Sequence, residues 1–528
     1  MCGIAIALGW EDAAATVRSL IGDILHRGDV TDPVFSPSPT LAMGTRRLRI
    51  VDGGHAVQPQ LSFDDRIAVS FNGEIYNHDA LRAELEALGV RFRTRSDTEV
   101  LANALGVWGA QALQRLNGMF AFVAVDLASG EFLAARDRLG VKPLYVIQSG
   151  ASFVFCSEIR PLLATVETGD VLLLPPGHLL TRDRCLQYKA MTADPNAPKR
   201  THDPRALDVL LASAVHSRLP PGLPVAAMFS GGIDSTLVVH YARQLRPRMP
   251  GYFLGGESAP DYPYAARYAD ASGLDLRHVP LDATTPTLAL IDQMVETVET
   301  FEPSVLRDSL CTSLISAQMH RDGYRVALCG EGADELFAGY VPLELAFADG
   351  ETSGAFVRDQ CLGSMHRTNL QRLDRTAMRQ QLEAREPFLD AGVVDYALGL
   401  SAQDHVRHVN GQAQGKAALR SLYDLYPGQL PLDIRDRCKL PLNEGAGLDA
   451  APNDSPWISF ADEIVSDAAL LDGKARYPAF DLRTKEELLY LDRLAMTLDV
   501  SRVPHLTSRT RLHFPTVKNM ERLSSYMM

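Results

Sequence analysis

The chain has 528 residues, 46% hydrophobic and 22% charged, which makes it a folded globular protein long enough for two or three domains rather than a disordered one. Its 65 acidic against 52 basic residues give a net charge of −13, which favours solubility and argues against a partner recognised through a phosphate backbone. No segment approaches the ~18 to 20 uninterrupted apolar residues of a membrane span, and the start lacks a signal peptide's basic and apolar regions, so neither nucleic acid nor membrane is expected and a cytoplasmic location is.

The chain opens MCGIAIALGW, where a small second residue lets Met1 be trimmed and leaves Cys2 as the amino terminus. One residue then carries nucleophile and base, because an α-amino group of pKa roughly 7.7 to 8.0 can take the thiol proton. A cysteine there is equally an ordinary small start to a strand. Up to about Leu180 the apolar runs are short and strand-like: GIAIAL, LAMGTRRLRIVD, RIAVSFN, FAFVAVD, FLAARD, LYVI, FVFCS and VLLLPPGHLL. HDALRAELEALG and DTEVLANALGVWG are the chief helical stretches. This pattern predicts a β-rich layered domain over residues 2–195. The polar, proline-rich run MTADPNAPKRTHDP, residues 191–204, has the character of a linker.

Over 205–528, helical patterns such as RALDVLLASAVHSRL alternate with short buried strands such as VAAMFS, MPGYFLG and RVALCG. That alternation predicts a parallel sheet covered by helices, followed by a mainly helical end. The motif FSGGIDS, Phe229 to Ser235, places Ser230, Gly231 and Gly232 at a strand-to-helix turn, where backbone N–H groups and the helix N-terminus attract anions. With no Walker A lysine and no G-x-G-x-x-G, pyrophosphate or ATP is the expected ligand, and a turn that merely reverses the chain is the plainer alternative. In LCGEGADELFAGY, Leu328 to Tyr340, a second strand runs into a glycine turn carrying Glu331, Asp334 and Glu335, which suit magnesium ligation or proton transfer. An acid-rich helix start accounts for Asp334 and Glu335, but less well for Glu331 between two glycines. EAREPFLD and RDRCKLPLNEGAG then place Arg385 and Lys439 in segments of loop character, where solvated charges are common. The cysteines, Cys2, Cys156, Cys185, Cys311, Cys329, Cys361 and Cys438, include no C-x-x-C pair, so neither a zinc knuckle nor a disulfide framework is suggested.

Together these motifs resemble the glutamine-hydrolysing asparagine synthetases over nearly the whole chain. MCGI, HRG (His26 to Gly28), RLRIVD (Arg47 to Asp52), FNGEIYN (Phe71 to Asn77), RSDTEV (Arg95 to Val100), GMFAFVAVD (Gly118 to Asp126), ARDRLGVKPLY (Ala135 to Tyr145), SEI and PPG follow the order of that family's class II glutamine amidotransferase domain. FSGGIDS is similar to the PP-loop of ATP pyrophosphatases. The resemblance implies a two-domain, α/β and α+β protein. Residues 2–195 would form an N-terminal-nucleophile hydrolase of αββα sandwich type, and 205–528 a PP-loop parallel α/β domain with a helical C-terminal part. It implies that Cys2 attacks the glutamine side-chain amide and releases ammonia through a thioester. It implies that the second domain would adenylylate a carboxylate with ATP and Mg2+, and that ammonia would then displace AMP. Aspartate is the leading acceptor, with another carboxylic acid or a β-lactam-synthetase-like ring closure as alternatives; a homodimer is compatible with the resemblance.

By the same resemblance, Arg47 grips the glutamine α-carboxylate, a task suited to a bidentate guanidinium. Asp97 pairs with the α-ammonium, Asn72 and Gly73 form the oxyanion hole, and Glu74 adds to substrate binding. Phe229, Ser230, Gly231, Gly232, Asp234, Ser235, Gly330, Glu331 and Gly332 would surround ATP or pyrophosphate, with Asp234 and Asp334 on magnesium. Glu331 serves amide formation, Lys439 stabilises charge at the adenylylation centre, and Asn369, Arg372, Glu331 and Lys439 face the acceptor. The sequence departs from the family pattern on that side. Asn369 stands for an aspartate in a D-x-x-R motif whose arginine is Arg372, Leu442 for an aromatic residue, and Ala338 for one of a glycine pair, while Arg307, Asp308 and Ser309 replace more usual pocket residues. Such exchanges leave room for a different acceptor acid.

Overall fold

The computed structural model describes residues 2–50, 56–194, 197–281, 284–449 and 455–506. Met1, the Val51–Asp52 end of RLRIVD, and Pro195 and Asn196 of the expected linker lie outside the described residues. The chain forms two compact units: Met1–Met191 with Met378–Gln381 and Arg493–Ser508, and Thr192–Ala377 with Leu382–Asp492. Among the described residues no helix is long and apolar enough to cross a membrane.

The first unit holds two antiparallel sheets. One follows the order Leu172–Leu173, Tyr145–Ser149, Ser152–Cys156, Cys2–Leu8 (β1), Leu41–Arg47 (β2) and Val30–Thr31, with Phe35–Ser38 also on β2. The other runs Cys185–Gln187, His178–Leu180, Phe132–Arg136, Gly118–Asp126, Ile67–Ile75 (β3) and Gln60–Leu61. Strand alternation explains the layering. Ile4, Ile6 and Leu8 of β1 meet Ala68, Val123, Val125 and Phe132 in the core between the sheets. The intervening Gly3, Ala5 and Ala7 of β1 and Ala42 and Gly44 of β2 are small, and helix α1, Ala13–Asp23, packs there, with Val17 so close that a Cβ on Gly44 would lie 2.6 Å from it. On the far side Leu81, Leu85, Val100 and Leu101, from helices His78–Ala87 and Asp97–Trp108 (α2), pack against Phe71, Phe120 and Phe122. The result is the αββα arrangement.

Three local expectations are corrected. Helix α1 is missed by the strand-like reading because its apolar positions Val17, Leu20 and Ile21 are few and diluted by alanine. VLLLPPGHLL is two short strands around Pro175 and Pro176, since proline cannot donate to a ladder. Arg385, expected in a loop, ends the edge strand Glu383–Arg385, 2% exposed, with Nε on Glu383 at 2.6 Å and Nη1 on the Arg218 carbonyl at 2.9 Å.

In the second unit five parallel strands lie in the order Leu276–Val279, Gly251–Leu254, Val225–Met228 (β4), Val326–Leu328 (β5) and Glu383–Arg385 (β6). The chain steps outward from β4 in one direction, then returns to place β5 on its other side. That reversal between β4 and β5 is a topological switch point, where open α/β sheets bind ligands beyond the strands' carboxyl ends. Both glycine motifs emerge there. The Ser230–Gly232 turn leads from β4 into helix Ile233–Leu245 (α3), and Gly330–Gly332 leads from β5 into the four-residue helix Ala333–Leu336.

Candidate active sites

Each unit gathers one cluster of the expected residues. In the first, antiparallel register sets Cys2 opposite Arg47 across β1 and β2. The Cys2 backbone N–H donates to Asn72 Oδ1 at 2.9 Å, which joins β1 in one sheet to β3 in the other. Asn72 Nδ2 is buried with no hydrogen-bond partner among the described residues, so both N–H donors of that amide remain to be satisfied. Gly73, next along β3, is required by space: a Cβ there would lie 2.1 Å from the Met119 carbonyl oxygen.

The surrounding motifs hold this geometry. Arg27 of HRG donates through Nε to the Cys2 carbonyl at 3.2 Å and through Nη1 to Glu158 at 3.0 Å, and His26 Nε2 lies 2.9 Å from the same Glu158 oxygen. Ser157, of SEI, accepts the Ile4 N–H at 3.0 Å. Arg47 forks onto Asp32, with Nε and Nη2 at 2.9 and 3.1 Å from its two oxygens, so Asp32 fixes the plane of the guanidinium. Asp97, in the first turn of α2, accepts the Ile75 N–H at 3.0 Å, and Glu74 is buried beside Gly73 on β3. The ARDRLGVKPLY motif serves the scaffold: Asp137 accepts from the N–H groups of Phe120, Leu139, Val141 and Lys142. Burial pushes the Cys2 thiol up to about 11, opposed by the Leu48 backbone and the Arg47 charge.

The second cluster is built from charges. Gly231 has φ +71°, and a Cβ there would lie 2.4 Å from the Ala265 nitrogen, so only glycine makes this turn into α3. Ser230 and Ser235 hydroxyls lie 3.3 Å apart, and Ser230 Oγ accepts the Gly232 N–H at 3.3 Å. The Phe229 side chain is buried against Tyr268, which leaves it only main-chain groups to offer a ligand. Gly330 touches the Asp234 side chain, so the two glycine loops meet.

Lys416, which the motif reading missed, lies at their junction. Its Nζ is 2.5 Å from both Asp234 Oδ2 and Asp334 Oδ1, while Lys439 Nζ is 3.0 Å from Asp334 Oδ2. Burial alone would raise the Asp334 carboxyl, but Lys416 and Lys439 together hold it down to about 2. Asp234 has a single close lysine, and burial raises its carboxyl. Burial would lower the Lys439 ammonium, yet the charges of Asp334 and Asp234 outweigh it and raise it. Asp234 Oδ1 is buried without a hydrogen-bond partner among the described residues. No cluster of three or more His, Cys, Asp or Glu side chains forms a metal cage among the described residues. Two carboxylates beside the Ser230–Gly232 turn suit an ion that keeps much of its water, and Mg2+ fits on those terms.

Asn369 and Arg372 share one face of helix Asn369–Arg379, one turn apart. Arg372 Nη1 binds Asp308 at 2.8 Å and Nη2 binds Glu331 at 3.0 Å. Asn369 Nδ2 donates to Glu335 at 2.9 Å, and the Tyr340 hydroxyl donates to the same oxygen at 2.8 Å. Burial, with Glu331 and Asp334 adding to it, raises the Glu335 carboxyl to about 8. Asp32 and Lys416 had no motif to mark them; the one clue to Lys416 was the need for cations among so many buried carboxylates.

Comparison with known proteins agrees with this division. Residues 1–172 match the glutamine amidotransferase domain family, and residues 206–350 and 348–502 match the asparagine synthase family. The chain is 30% identical to an asparagine synthetase [glutamine-hydrolyzing] 3 of Arabidopsis thaliana over 516 residues, covering 93% of this chain and 86% of that one. It is 29% identical to an asparagine synthetase [glutamine-hydrolyzing] 2 of Lotus japonicus, covering 93% and 85%. A solved structure of the allosteric regulatory enzyme of purine biosynthesis aligns at 20% identity and TM-score 0.32, covering 48% of this chain and 65% of that one.

Proposed function

The chain belongs to the glutamine-hydrolysing asparagine synthetase family, and on that premise we propose that Cys2 is its glutaminase nucleophile and the lysine–carboxylate cluster its synthetase site. The protein is an ATP-dependent carbon–nitrogen ligase that makes asparagine with glutamine as the amide donor. One observation carries the glutaminase reading: Asn72 accepts from the Cys2 nitrogen at 2.9 Å while its own buried Nδ2 has no partner among the described residues.

In the first unit the Cys2 thiol proton passes to the residue's own α-amine, and Sγ bonds to the side-chain amide carbon of glutamine. The oxygen of the tetrahedral intermediate takes hydrogen bonds from Asn72 Nδ2 and the Gly73 N–H. The amine returns its proton to the departing nitrogen, ammonia leaves, and water hydrolyses the thioester to glutamate. Arg47, aimed by Asp32, binds the α-carboxylate, Asp97 binds the α-ammonium, and Glu74 lines the same pocket.

In the second unit a carboxylate oxygen of aspartate bonds to the α-phosphorus of ATP as pyrophosphate leaves. The Ser230–Gly232 turn, Ser235 and the N-terminus of α3 hold the pyrophosphate, with Gly330 and Gly332 shaping the facing loop. Asp234 and Asp334 would hold Mg2+, which would supply charge neutralisation to the phosphates. Lys439 offsets the charge at the reacting phosphate, and Arg372, with Asn369 beside it, orients the acceptor. Ammonia then bonds to the adenylylated carbonyl, AMP leaves, and Glu331 takes the surplus proton.

Replacing Cys2 by Ala separates the halves. Glutamine hydrolysis is expected to disappear, while synthesis supplied with ammonium salts proceeds at the parent's rate. Retention of glutaminase activity in Cys2→Ala would reject the nucleophile.

A further inference from the structure

We propose that Gln58 is a further catalytic residue of the glutaminase, one whose side-chain amide donates a hydrogen bond to Cys2 Sγ and holds the sulfur as the attacking thiolate. This rests on the reading of Cys2 as the nucleophile. Gln58 is buried, and its Nε2 lies 3.9 Å from Cys2 Sγ, within reach of an N–H to sulfur hydrogen bond.

The orientation of that amide is set by its other end. Gln58 Oε1 accepts the Phe71 backbone N–H at 2.8 Å and the Thr45 hydroxyl at 3.3 Å. Turning the amide over would set its NH2 group against a backbone N–H that can only donate. The main chain is anchored as well, because the Gln58 N–H donates to Asp32 Oδ2 at 3.0 Å, the same oxygen that receives Arg47 Nε at 2.9 Å. Gln58 therefore links the nucleophile, the Asp32–Arg47 pair and the residue preceding Asn72.

The charged side chains facing the sulfur are Arg47, which favours the thiolate, and Asp32, which opposes it, and the Leu48 main chain also donates to the sulfur. Arg27 is turned to the Cys2 carbonyl and to Glu158. Burial disfavours the thiolate, and a neutral donor fixed on the sulfur opposes that penalty without adding charge.

Two variants of the full-length protein test the assignment. Gln58→Glu keeps an acceptor for Phe71 and Thr45 but removes the donor, and Gln58→Met keeps the volume. The readouts are the pH dependence of iodoacetamide alkylation at Cys2, followed on the N-terminal peptide by mass spectrometry, and the kcat and KM of glutamine hydrolysis. The alkylation midpoint should rise by about one pH unit or more. Glutaminase kcat should fall about 10- to 100-fold with a smaller change in KM. If Gln58→Glu fails to fold, Gln58→Met decides. A midpoint within about 0.3 pH unit of the parent and a kcat within twofold of it in a folded variant would overturn the assignment while leaving Cys2 as nucleophile. Glutaminase activity in Cys2→Ala would instead overturn the reading beneath it.

Discussion

The two sites solve the burial of polar groups in opposite ways. Cys2 is held largely by directional contacts, with the Asn72 amide on its nitrogen and the Gln58 amide on its sulfur, and all three residues lie on or beside strands. Around Lys416 the structure depends on charge balance: two buried aspartates share one lysine, a second lysine leans on one of them, and Arg372 spans Asp308 and Glu331. Strand geometry places donors and acceptors finely but carries little charge. Helix ends and loops can bring together the many charges that a triphosphate and a carboxylate acceptor require. The first site should therefore respond most to the loss of a hydrogen bond, and the second to the loss of a charge.

The largest expected effect is on the first side of this contrast. Asn72→Ala removes the buried donor and should lower glutaminase kcat by about 10²- to 10³-fold, with ammonia-supported synthesis retained as the control. A loss of less than threefold would mean that the tetrahedral oxygen is held elsewhere.

Lys416→Met probes the other side through stability. Removing the shared cation leaves Asp234 and Asp334 buried with less compensation, a change expected to cost about 3 to 5 kcal/mol in chemical denaturation. Added magnesium should recover part of that loss by supplying charge to the same two carboxylates. A variant as stable as its parent would show that the lysine does not bear this charge.

A third effect concerns Glu335. Folding raises its carboxyl from 4.5 to about 8, so the folded form binds this proton more tightly than the unfolded chain does. Its contribution to stability is full below pH 4.5, declines as pH rises, and is lost through about pH 8. Glu335→Gln should flatten the melting temperature across that window relative to the parent, and parallel curves would reject the raised carboxyl.

The same contrast explains what could be read from the chain. Cys2, Arg47, Asn72, Gly73 and Asp97 lie within contiguous motifs, which strand register and the Asn72 and Asp97 hydrogen bonds bring together, and the layered fold follows from short alternating runs. Lys416 sits in GQAQGKAALR, where nothing local distinguishes it from a surface lysine; only the buried aspartates 182 residues away in Asp234, and in Asp334, give it meaning. Gln58 was equally silent, since its role depends on Phe71 and Thr45 fixing the direction of its amide. Arg385 stood in a motif yet proved to be a buried strand residue paired with Glu383, a case in which charge suggested a loop and the edge of a parallel sheet supplied the partner.

The most direct test of the whole account is pyrophosphate release by the full-length protein across a panel of carboxylic acids, with ATP, magnesium and ammonium present. The account predicts pyrophosphate and AMP in equal amounts with asparagine when aspartate is supplied, and background release without an acceptor. Orthophosphate in place of pyrophosphate, or release with aspartate no greater than with buffer alone, would contradict it.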